Sequence, residues 1–418
     1  MTNILYMGIA QPTDTAITVF SQSLLRSLQR SRYQVHLYGD SLFYEYFKNP
    51  KIISFDQMVS IHWDVAIIQN SLCFSRYPEI MRLLRKTPVV FVSNADDISG
   101  YIAPFDNLYT VLSTVGGWQH LSSWNIPFEL CRWVPVPVLV SGNHYLYEEE
   151  PDCYEFVYYP FENSSAQIDS KILSLTRLSN CRLSIIGEEY RTLKSVMNKR
   201  VRIVSRSQSV GALKKAHLVL ASRYQAVQAI ALCKPCVVIG SHGLGGRVTP
   251  DNYETFKRHG FKGRNGAAAD EHIPLDLLQF DIKRALDKPC EEETVRLRDM
   301  LLADDYSFGA FHSVISKTVA NVIKLHEQLH NRKLYKKLKP RLSSTLSIKK
   351  MNEKNLMLCG DMILSEIDDD MEALLRKCDG SNTIENIVIE SGYEHNDISV
   401  FAENVMEMWK KKLVVFNL

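Results

Sequence analysis

The sequence predicts an α/β protein with two Rossmann-like domains, followed by a small winged-helix-like α+β module. Apolar strand-like runs alternate with amphipathic helix-like segments over residues 3–140, and the alternation restarts after a polar linker at 141–152. Strands that alternate with helices are typical of parallel, doubly wound sheets. From about Pro340 the pattern changes to short strands and then three amphipathic helices, which predicts a separate module.

The first domain is predicted over residues 1–140. It begins with an apolar strand at Asn3–Gly8, and the helix Thr15–Arg30 follows with apolar residues at helical spacing. The later elements are strands at 33–39, 64–70, 88–94, 109–113 and 128–138 and a helix at 79–85.

The second domain is predicted over residues 153–335, and it repeats the alternation. Its elements are strands at 155–159, 181–187, 200–204 and 217–221, a helix at 166–178 and a long helix at 308–338 with a basic end. Ligands of such sheets bind beyond the carboxyl ends of the strands, so we expect a ligand cleft between the two domains.

Composition narrows the function classes. The chain has 418 residues, of which 45% are hydrophobic, and a net charge of +2, so neither a nucleic acid nor a membrane surface is favoured as a partner. No apolar run is long enough for a membrane span, and the first residues lack the pattern of a signal peptide. Nine cysteines without a disulfide-framework spacing fit the reducing cytoplasm, where we expect the protein to reside.

A glycine-rich stretch in the second domain predicts an anion site. Gly243, Gly245 and Gly246 follow a buried strand and permit a close backbone approach. Arg247 is suited to bidentate phosphate binding, and Thr249 lies where a new helix, with its positive N-terminal dipole, is predicted to begin. The alternative is a simple turn after a strand.

Two sequence blocks in this region resemble the bacterial GT-B glycosyltransferases. The stretch GRVTPDNYETFKRHGFKGR resembles their G-x-V-T-P-E-N-Y block, and AVQAIALCKP resembles A-L-E-A-M-A-x-G-K-P. The resemblance spans roughly residues 3–335. It implies a nucleotide sugar, such as a UDP- or GDP-sugar, as co-substrate, held mainly by the second domain, with no permanently bound cofactor and no metal.

The donor site departs from that family's pattern. Many retaining members carry two glutamates with seven residues between them at the donor, and here the corresponding positions hold Leu220 and Gln228. The resemblance places Tyr224 and Gln228 beside the donor sugar or ribose, with His242 in the same cleft. Glutamine can hydrogen-bond a hydroxyl but carries no charge, so altered donor contacts and lost catalysis are both open.

Two aspartates are candidates for a catalytic base. Asp96 and Asp97 follow the predicted strand 88–94, where related enzymes often place a His-Asp pair beside the acceptor. A carboxylate there can accept a proton from an acceptor hydroxyl, whereas an Asx turn is the structural alternative. Cys233 and Cys236 have C-x-x-C spacing without a second ligand pair, so no metal site is predicted.

The predicted module at residues 340–418 carries a second resemblance. MILSEIDDDMEALLRKCDGSNTIENIVIE resembles the small PqqD-type peptide-recognition domains, which share a helix, a C-D-G turn and T-x-x-E-I. That family binds a leader peptide as an added strand, between its small sheet and its last helix. A DNA-binding winged helix is the alternative, but the helix at 383–391 contains Glu385 and Glu390 and no Lys or Arg.

Together these features predict a glycosyltransferase that transfers a sugar from a nucleotide sugar to a ribosomally synthesised peptide recognised through its leader. The expected partners are the peptide, the nucleotide sugar and other peptide-maturation enzymes. Two alternatives stay open, an inactive scaffold that delivers a peptide to a partner enzyme and a glycosyltransferase that acts on a glycan.

Overall fold

The computed structural model describes most of the chain, in two compact units. The described residues are 2–10, 15–70, 72–93, 107–114, 126–139, 142–145, 153–161, 172–173, 175, 180–187, 199–268, 273–287, 291–331, 334–351, 354–359 and 362–416. One unit combines Met1–Val134 with His312–Leu418, and the other is Pro135–Phe311. The residues from His312 to 335, which the sequence assigned to the second domain, therefore pack in the first unit, as does the C-terminal module.

The first unit contains a six-stranded parallel sheet with the strand order β2-β1-β3-β4-β5-β6. Its strands are β1 (Asn3–Gly8), β2 (Gln34–Gly39), β3 (Val65–Gln69), β4 (Val89–Ser93), β5 (Leu108–Ser113) and β6 (Cys131–Trp133). Every residue of β3 and β4 is buried, as expected for central strands covered on both faces. The strand predicted at 128–138 is shortened to β6 because prolines at 127, 135 and 137 cannot donate backbone hydrogen bonds.

Five described helices accompany this sheet. They are α1 (Thr15–Arg30), α2 (Ser41–Tyr44), α3 (Phe55–Ser60), α4 (Leu72–Arg76) and α5 (Ile80–Leu84). Side chains define two of their starts. Asp40 accepts a hydrogen bond from the Phe43 N–H at α2, and Ser54 forms a capping box with Gln57 at α3.

The second unit contains another six-stranded sheet, with the order β9-β8-β7-β10-β11-β12. Its strands are β7 (Tyr154–Tyr158), β8 (Cys181–Ile186), β9 (Val201–Val204), β10 (Leu218–Ala221), β11 (Cys236–Gly240) and β12 (Gly243–Arg247). All neighbours are parallel except β12, which is antiparallel to β11. In order along the chain the strands are arranged 3-2-1-4-5-6, as in dinucleotide-binding sheets, and the order reverses between β7 and β10.

The described helices of the second unit complete its layers. They are α6 (Ser209–Lys214), α7 (Arg223–Ala231), α8 (Tyr253–Arg258), α9 (Leu275–Asp287) and α10 (Glu291–Ala303). Leu278 and Ile282 of α9 pack into the core cluster that includes Leu220 and Val237 of the sheet. The predicted α/β fold with two Rossmann-like sheets is therefore confirmed.

The long helix, α11 (Phe308–His330), is shorter than predicted. The sequence predicted a helix to 338, but the carbonyl of Asn331 accepts hydrogen bonds from the N–H groups of Leu334 and Tyr335, and a 3-10 turn follows at Tyr335–Lys337. The predicted basic end therefore lies beyond the helix. Among the described residues, no helix is both long and apolar enough to cross a bilayer.

The C-terminal module has the predicted α+β composition. Its elements are β13 (Pro340–Leu342), β14 (Leu346–Met351), β15 (Lys354–Cys359), β16 (Met362–Ile367), α12 (Asp369–Arg376), α13 (Ile384–Glu390), α14 (Asp397–Lys410) and β17 (Val414–Phe416). The three middle strands form an antiparallel sheet in the order β14-β15-β16, and β13 pairs with β17. Thr383 caps α13 by accepting a hydrogen bond from the Asn386 N–H.

The module and α11 pack together through one tyrosine of the first sheet. The hydroxyl of Tyr109 lies 2.8 Å from Nδ1 of His326 in α11. The ring of Tyr109 also meets the ring of Trp409 in α14 edge-on, with 5.4 Å between the centroids. Strand β5 thus contacts both the long helix and the added module.

The partly buried imidazole of His326 predicts a pH dependence of stability. Burial, with His330 and His62 nearby, lowers the pKa of His326 from 6.5 to about 4. The folded protein then binds fewer protons than the unfolded chain. The stability that the neutral His326 side chain contributes is therefore fully present above pH 6.5 and is lost as the pH falls towards 4. We expect His326→Gln, which can still hydrogen-bond Tyr109, to lose less stability than the wild type between about pH 7 and about pH 4.5 in urea unfolding. The exposed His395→Gln serves as control and should follow the wild type. Parallel pH profiles for the wild type and His326→Gln would contradict the assignment.

Candidate functional site

The strand order of the second sheet locates a candidate ligand site. Ligands of open α/β sheets bind beyond the carboxyl ends of the strands, where the strand order reverses. Here the reversal lies between β7 and β10. Strand β7 runs into Tyr159, and β10 runs into Ser222 and Arg223, so these residues begin the edge that faces a ligand.

Basic residues follow three strands at the carboxyl edge of this sheet, in three separate segments of the chain. Arg206 follows β9 in a 3-10 turn, and Arg223 opens α7 directly after β10. The segment 261–264 carries Lys262 and Arg264 past the end of β11, because the His242 N–H donates to the Lys262 carbonyl at 3.0 Å. Sequence reasoning missed these residues. For Arg206 and Arg223 a signal was present, since each comes directly after a predicted strand.

Arg223 has a strained backbone. Its φ angle of 51° lies in the left-handed region, which costs a residue with a side chain about 1–2 kcal/mol. Its N–H donates to the carbonyl of Phe261 at 2.9 Å, which holds this conformation. Strain of this kind clusters at functional sites. The N-terminus of the nine-residue helix α7 lies at the same edge and adds a partial positive charge.

Two tyrosines lie beneath the edge. Burial raises the pKa of Tyr159 to about 12, although the nearby Ser209 opposes the rise. Burial and the nearby Tyr159 raise the pKa of Tyr224 further, so both phenols stay neutral near pH 7. Tyr224, predicted to face the donor, is buried, and its hydroxyl donates to the carbonyl of Pro137 at 3.5 Å. Its described contacts therefore lie within the protein.

The two positions that match the family's glutamates lie in the protein interior. Leu220 is fully buried in β10 and pairs in register with Tyr158. Gln228 lies on α7 and is 8% exposed. A charge at Leu220 would have to be desolvated in an apolar core, so the leucine fits the packing of this sheet.

The glycine-rich stretch is a strand and not the predicted loop. Residues Gly243–Arg247 form β12, which pairs with β11. A Cβ atom on Gly245 would lie 2.7 Å from the carbonyl oxygen of Gly263, and one on Gly246 would lie 3.3 Å from Oδ2 of Asp281. The absence of side chains at these two glycines thus leaves room for protein backbone and for a carboxylate. Neither neighbour favours an anion at this strand.

Arg247 connects β12 with two helices. Its Nη2 lies 2.8 Å from Oε1 of Glu293 in α10, and its Nη1 donates to the carbonyl of Arg284 in α9 at 3.1 Å. The side chain is only 10% exposed. These contacts give Arg247 a structural role, and its predicted contact with a diphosphate remains a prediction.

Thr249 belongs to a turn that precedes a helix. Its N–H donates to Oδ1 of Asn252 at 2.8 Å, and Nδ2 of Asn252 donates to the carbonyl of Arg247 at 2.9 Å. Helix α8 begins only at Tyr253, so the predicted helix start at Thr249 is wrong. Both polar groups of the Asn252 side-chain amide are hydrogen-bonded within this turn, which explains why the helix begins later in the sequence than predicted.

His242 anchors the segment that carries Lys262 and Arg264. Its Nδ1 lies 2.7 Å from the carbonyl oxygen of Ala267, and its carbonyl accepts a hydrogen bond from the Arg264 N–H. The predicted cleft histidine therefore lies at the basic edge and holds its backbone in place.

The predicted bases Asp96 and Asp97 lie outside the described residues. The described part of this edge of the first sheet holds Asn70 after β3 and Ser93 at the end of β4. Asn70 has a φ angle of 82°, and its Oδ1 accepts a hydrogen bond from the Leu72 N–H at 2.8 Å. Its Nδ2 and the Ser93 hydroxyl are buried without hydrogen-bond partners among the described residues.

The C-x-x-C cysteines are buried thiols. Cys233 and Cys236 are both free, and burial raises the pKa of Cys236 to about 12. Within the described ranges, no group of three or more His, Cys, Asp or Glu side chains is placed to hold a metal ion.

Comparisons with solved structures define the fold. HepE from Anabaena in complex with UDP and glucose is 11% identical, with a TM-score of 0.53 over 77% of this chain and 100% of that chain. The lipopolysaccharide outer core galactosyltransferase WaaB, in its apo form, is 12% identical, with a TM-score of 0.51 over 78% and 100%. A GtfA/B complex is 10% identical, with a TM-score of 0.50 over 78% and 100%.

These similarities establish a GT-B-type fold of two Rossmann-like domains, as the sequence blocks predicted. Neither a family model nor any curated protein sequence matches the chain. More than a fifth of the chain has no counterpart in the three structures, although each of them is covered over its full length.

The contacts of Arg247 predict that its loss affects stability more than ligand binding. Arg247→Ala leaves Glu293 partly buried without its partner, which should lower the free energy of unfolding by about 2 kcal/mol. Glu293→Ala should cost a similar amount, and the double variant should cost less than the sum of the two in a denaturant-unfolding cycle.

The same variants separate structure from phosphate binding. If Arg247 contacts a diphosphate, as the sequence predicted, Arg247→Ala should abolish nucleotide binding while Glu293→Ala preserves it in calorimetry. If its role is structural, both variants should bind nucleotide equally well below their unfolding temperatures.

Proposed function

We propose that this protein is a glycosyltransferase that takes a sugar from a nucleotide-sugar donor. The observation that carries the proposal is the basic carboxyl edge of the second sheet, where Arg223 follows β10, Lys262 lies past the end of β11 and Arg206 follows β9. The fold supports it, because HepE, which shares this fold, was solved with UDP and glucose.

The chemistry of sugar transfer needs positive charge at that edge. As the acceptor oxygen or sulfur bonds to the anomeric carbon, the bond from that carbon to the diphosphate oxygen breaks, and negative charge develops on the leaving group. Guanidinium and ammonium groups stabilise this charge without a metal ion. Arg223 and the N-terminus of α7 are the groups we assign to the diphosphate, with Arg206, Lys262 and Arg264 around them.

The acceptor is proposed to be a ribosomally synthesised peptide bound through its leader by the C-terminal module. Both outer strands of the β14-β15-β16 sheet are edges, but they differ in protection. Strand β14 ends with the exposed residues Lys349 and Lys350, and lysines discourage pairing with another strand. Strand β16 begins with Met362 and Ile363, which are 63% and 56% exposed. An extended peptide is therefore expected to add to β16.

The charges of the module favour a peptide over DNA. Helix α13 contains Glu385 and Glu390 and no basic residue. Helix α14 carries the exposed residues Glu403 and Glu407, and its basic residue Lys410 lies at the end, where it pairs with Glu407. A helix that enters a DNA groove needs a basic face to neutralise phosphates.

The base that receives the acceptor proton is proposed to be Asp96 or Asp97. Both aspartates follow β4 in the sequence, and the described end of that strand holds the buried Ser93 hydroxyl, which, like Nδ2 of Asn70, has no partner among the described residues. The alternative function is a scaffold that binds a peptide and delivers it to a partner enzyme. The replacement of the family's two glutamates by Leu220 and Gln228 favours this scaffold function.

Arg223→Gly is the decisive variant for donor binding. Glycine adopts a positive φ readily, so the variant removes the guanidinium and relieves strain, and stability should be preserved. Loss of charge-assisted hydrogen bonds worth about 2 kcal/mol should weaken UDP or GDP binding about thirtyfold in calorimetry. Transfer from labelled nucleotide sugars to leader-bearing peptides, followed by mass spectrometry, should fall in parallel.

The outcomes separate the two functions. Undetectable nucleotide binding by the wild type, together with retained peptide binding, would establish the scaffold. If Arg223→Gly binds nucleotide as well as the wild type does, Arg223 does not belong to the donor site. Arg206→Gln and Lys262→Gln would then be measured in the same way.

A pair of edge substitutions tests the proposed acceptor. Ile363→Lys places a charge on the β16 edge and should reduce the affinity for leader peptide about tenfold or more, because it disfavours an added strand. Met351→Lys is the matched control, since Met351 is 48% exposed at the end of the opposite edge strand. Equal effects of the two variants in fluorescence anisotropy would contradict binding at β16.

A further inference from the structure

A cavity of about 360 Å³ lies where the C-terminal module joins α11. One wall comes from the helix, which contributes Asn321, Lys324, Leu325 and Gln328. These positions are spaced three, four and seven residues from the first, so they share one face of α11. The helix thus presents an ordered stripe of two carboxamides, one cation and one apolar side chain.

The opposite wall is the basic run that follows the helix. Lys337 ends the 3-10 turn and Lys339 precedes β13, and both side chains are exposed. With Lys324 they give the cavity three described ammonium groups, and none of the described residues that line it is acidic. This concentration of one charge attracts an anionic ligand.

The floor of the cavity is apolar and firmly held. Leu325, Leu338 and Phe416 line it, and all three are buried. Phe416 pairs with Pro340 in the β13-β17 ladder, and its ring lies 5.5 Å from that of Trp409. A floor fixed in this way is preorganised for an apolar side chain, which lowers the cost of binding.

We propose that this cavity binds an acidic segment of a polypeptide that also carries an apolar side chain. Carboxylates of the segment pair with Lys324, Lys337 and Lys339, while the apolar side chain rests on the floor. The amides of Asn321 and Gln328 offer both donors and acceptors, which suits peptide groups. A phosphate site would favour the bidentate geometry of arginine, and the cavity-lining residues that the structure describes include no arginine.

This site is distinct from the β16 edge. The inference rests on the proposed peptide acceptor only for the identity of the natural ligand, since binding of an acidic segment can be measured without donor or transfer. If the natural ligand is the peptide acceptor, the cavity would hold a second part of that peptide and raise the effective concentration of the peptide at the module.

Fluorescence anisotropy with the full-length protein provides the test. The probe is a short labelled peptide in which Glu and Leu alternate, and the variant is the double reversal Lys337→Glu with Lys339→Glu. Each reversal replaces an attraction with a repulsion, so the two together should weaken binding about tenfold or more at low salt. The control reverses Lys317 and Lys349, which are exposed and lie outside the cavity, and should change affinity less than about twofold.

Further probes identify the ligand chemistry. A peptide with Lys in place of Glu should not bind, and one with Ser in place of Leu should bind more weakly. Equal weakening by the control variant would overturn the proposal, because general electrostatics would then explain binding. Displacement by inorganic phosphate, beyond that by chloride at equal ionic strength, would also overturn it and assign a small-anion site. Ile363→Lys and Arg223→Gly should leave this binding intact, so failure of the edge or donor assignment remains distinguishable.

Discussion

The arrangement of the first unit depends on hydrogen bonds along one side of α11. Ser27 Oγ lies 3.0 Å from Nδ1 of His312, and Ser31 donates to Ser316 at 3.1 Å, so the helix is tied to α1. Further along, His326 meets Tyr109 of β5 at 2.8 Å. Sliding the helix by one turn, about 5.4 Å, would break all three contacts at once. Polar pairs of this kind fix a helix in register where apolar packing alone tolerates shifts.

The register of α11 also determines the C-terminal module. Tyr109 uses its hydroxyl for His326 and its ring for Trp409, so one side chain joins β5, the long helix and α14. The cavity between α11 and the β13-β17 ladder exists because the helix ends at His330 and the chain turns back beneath it. A helix that continued to 338, as its periodicity predicts, would carry the basic residues away from Phe416. The early end of the helix therefore creates the basic wall.

Elements that depend on local pattern were predictable, and sites that depend on distant contacts were not. Strand β1 and helix α1 have the predicted bounds because an apolar run and a 3.6-residue period each leave one compatible structure. The strand formed by the glycine-rich stretch was not predicted. The carbonyl of Gly263 lies against Gly245, and this contact comes from a later part of the chain. Glycines that admit a phosphate and glycines that admit another backbone look the same in sequence. The basic edge was missed for a similar reason, since Arg206, Arg223 and Lys262 are separated in the sequence and only the assembled sheet places them at the same edge.

The block from Lys215 to Arg264 nevertheless builds that edge through its backbone. The carbonyl of Phe261 holds Arg223 in its left-handed conformation, and the carbonyl of Lys262 accepts from the His242 N–H. Gly240 permits this approach, because a Cβ atom there would lie 2.3 Å from the Lys262 oxygen. The glycines therefore support the basic edge indirectly, since they let the segment 261–264 pack on the strand ends. If Arg223 carries the diphosphate, a larger residue at Gly240 should damage donor binding without contacting the donor.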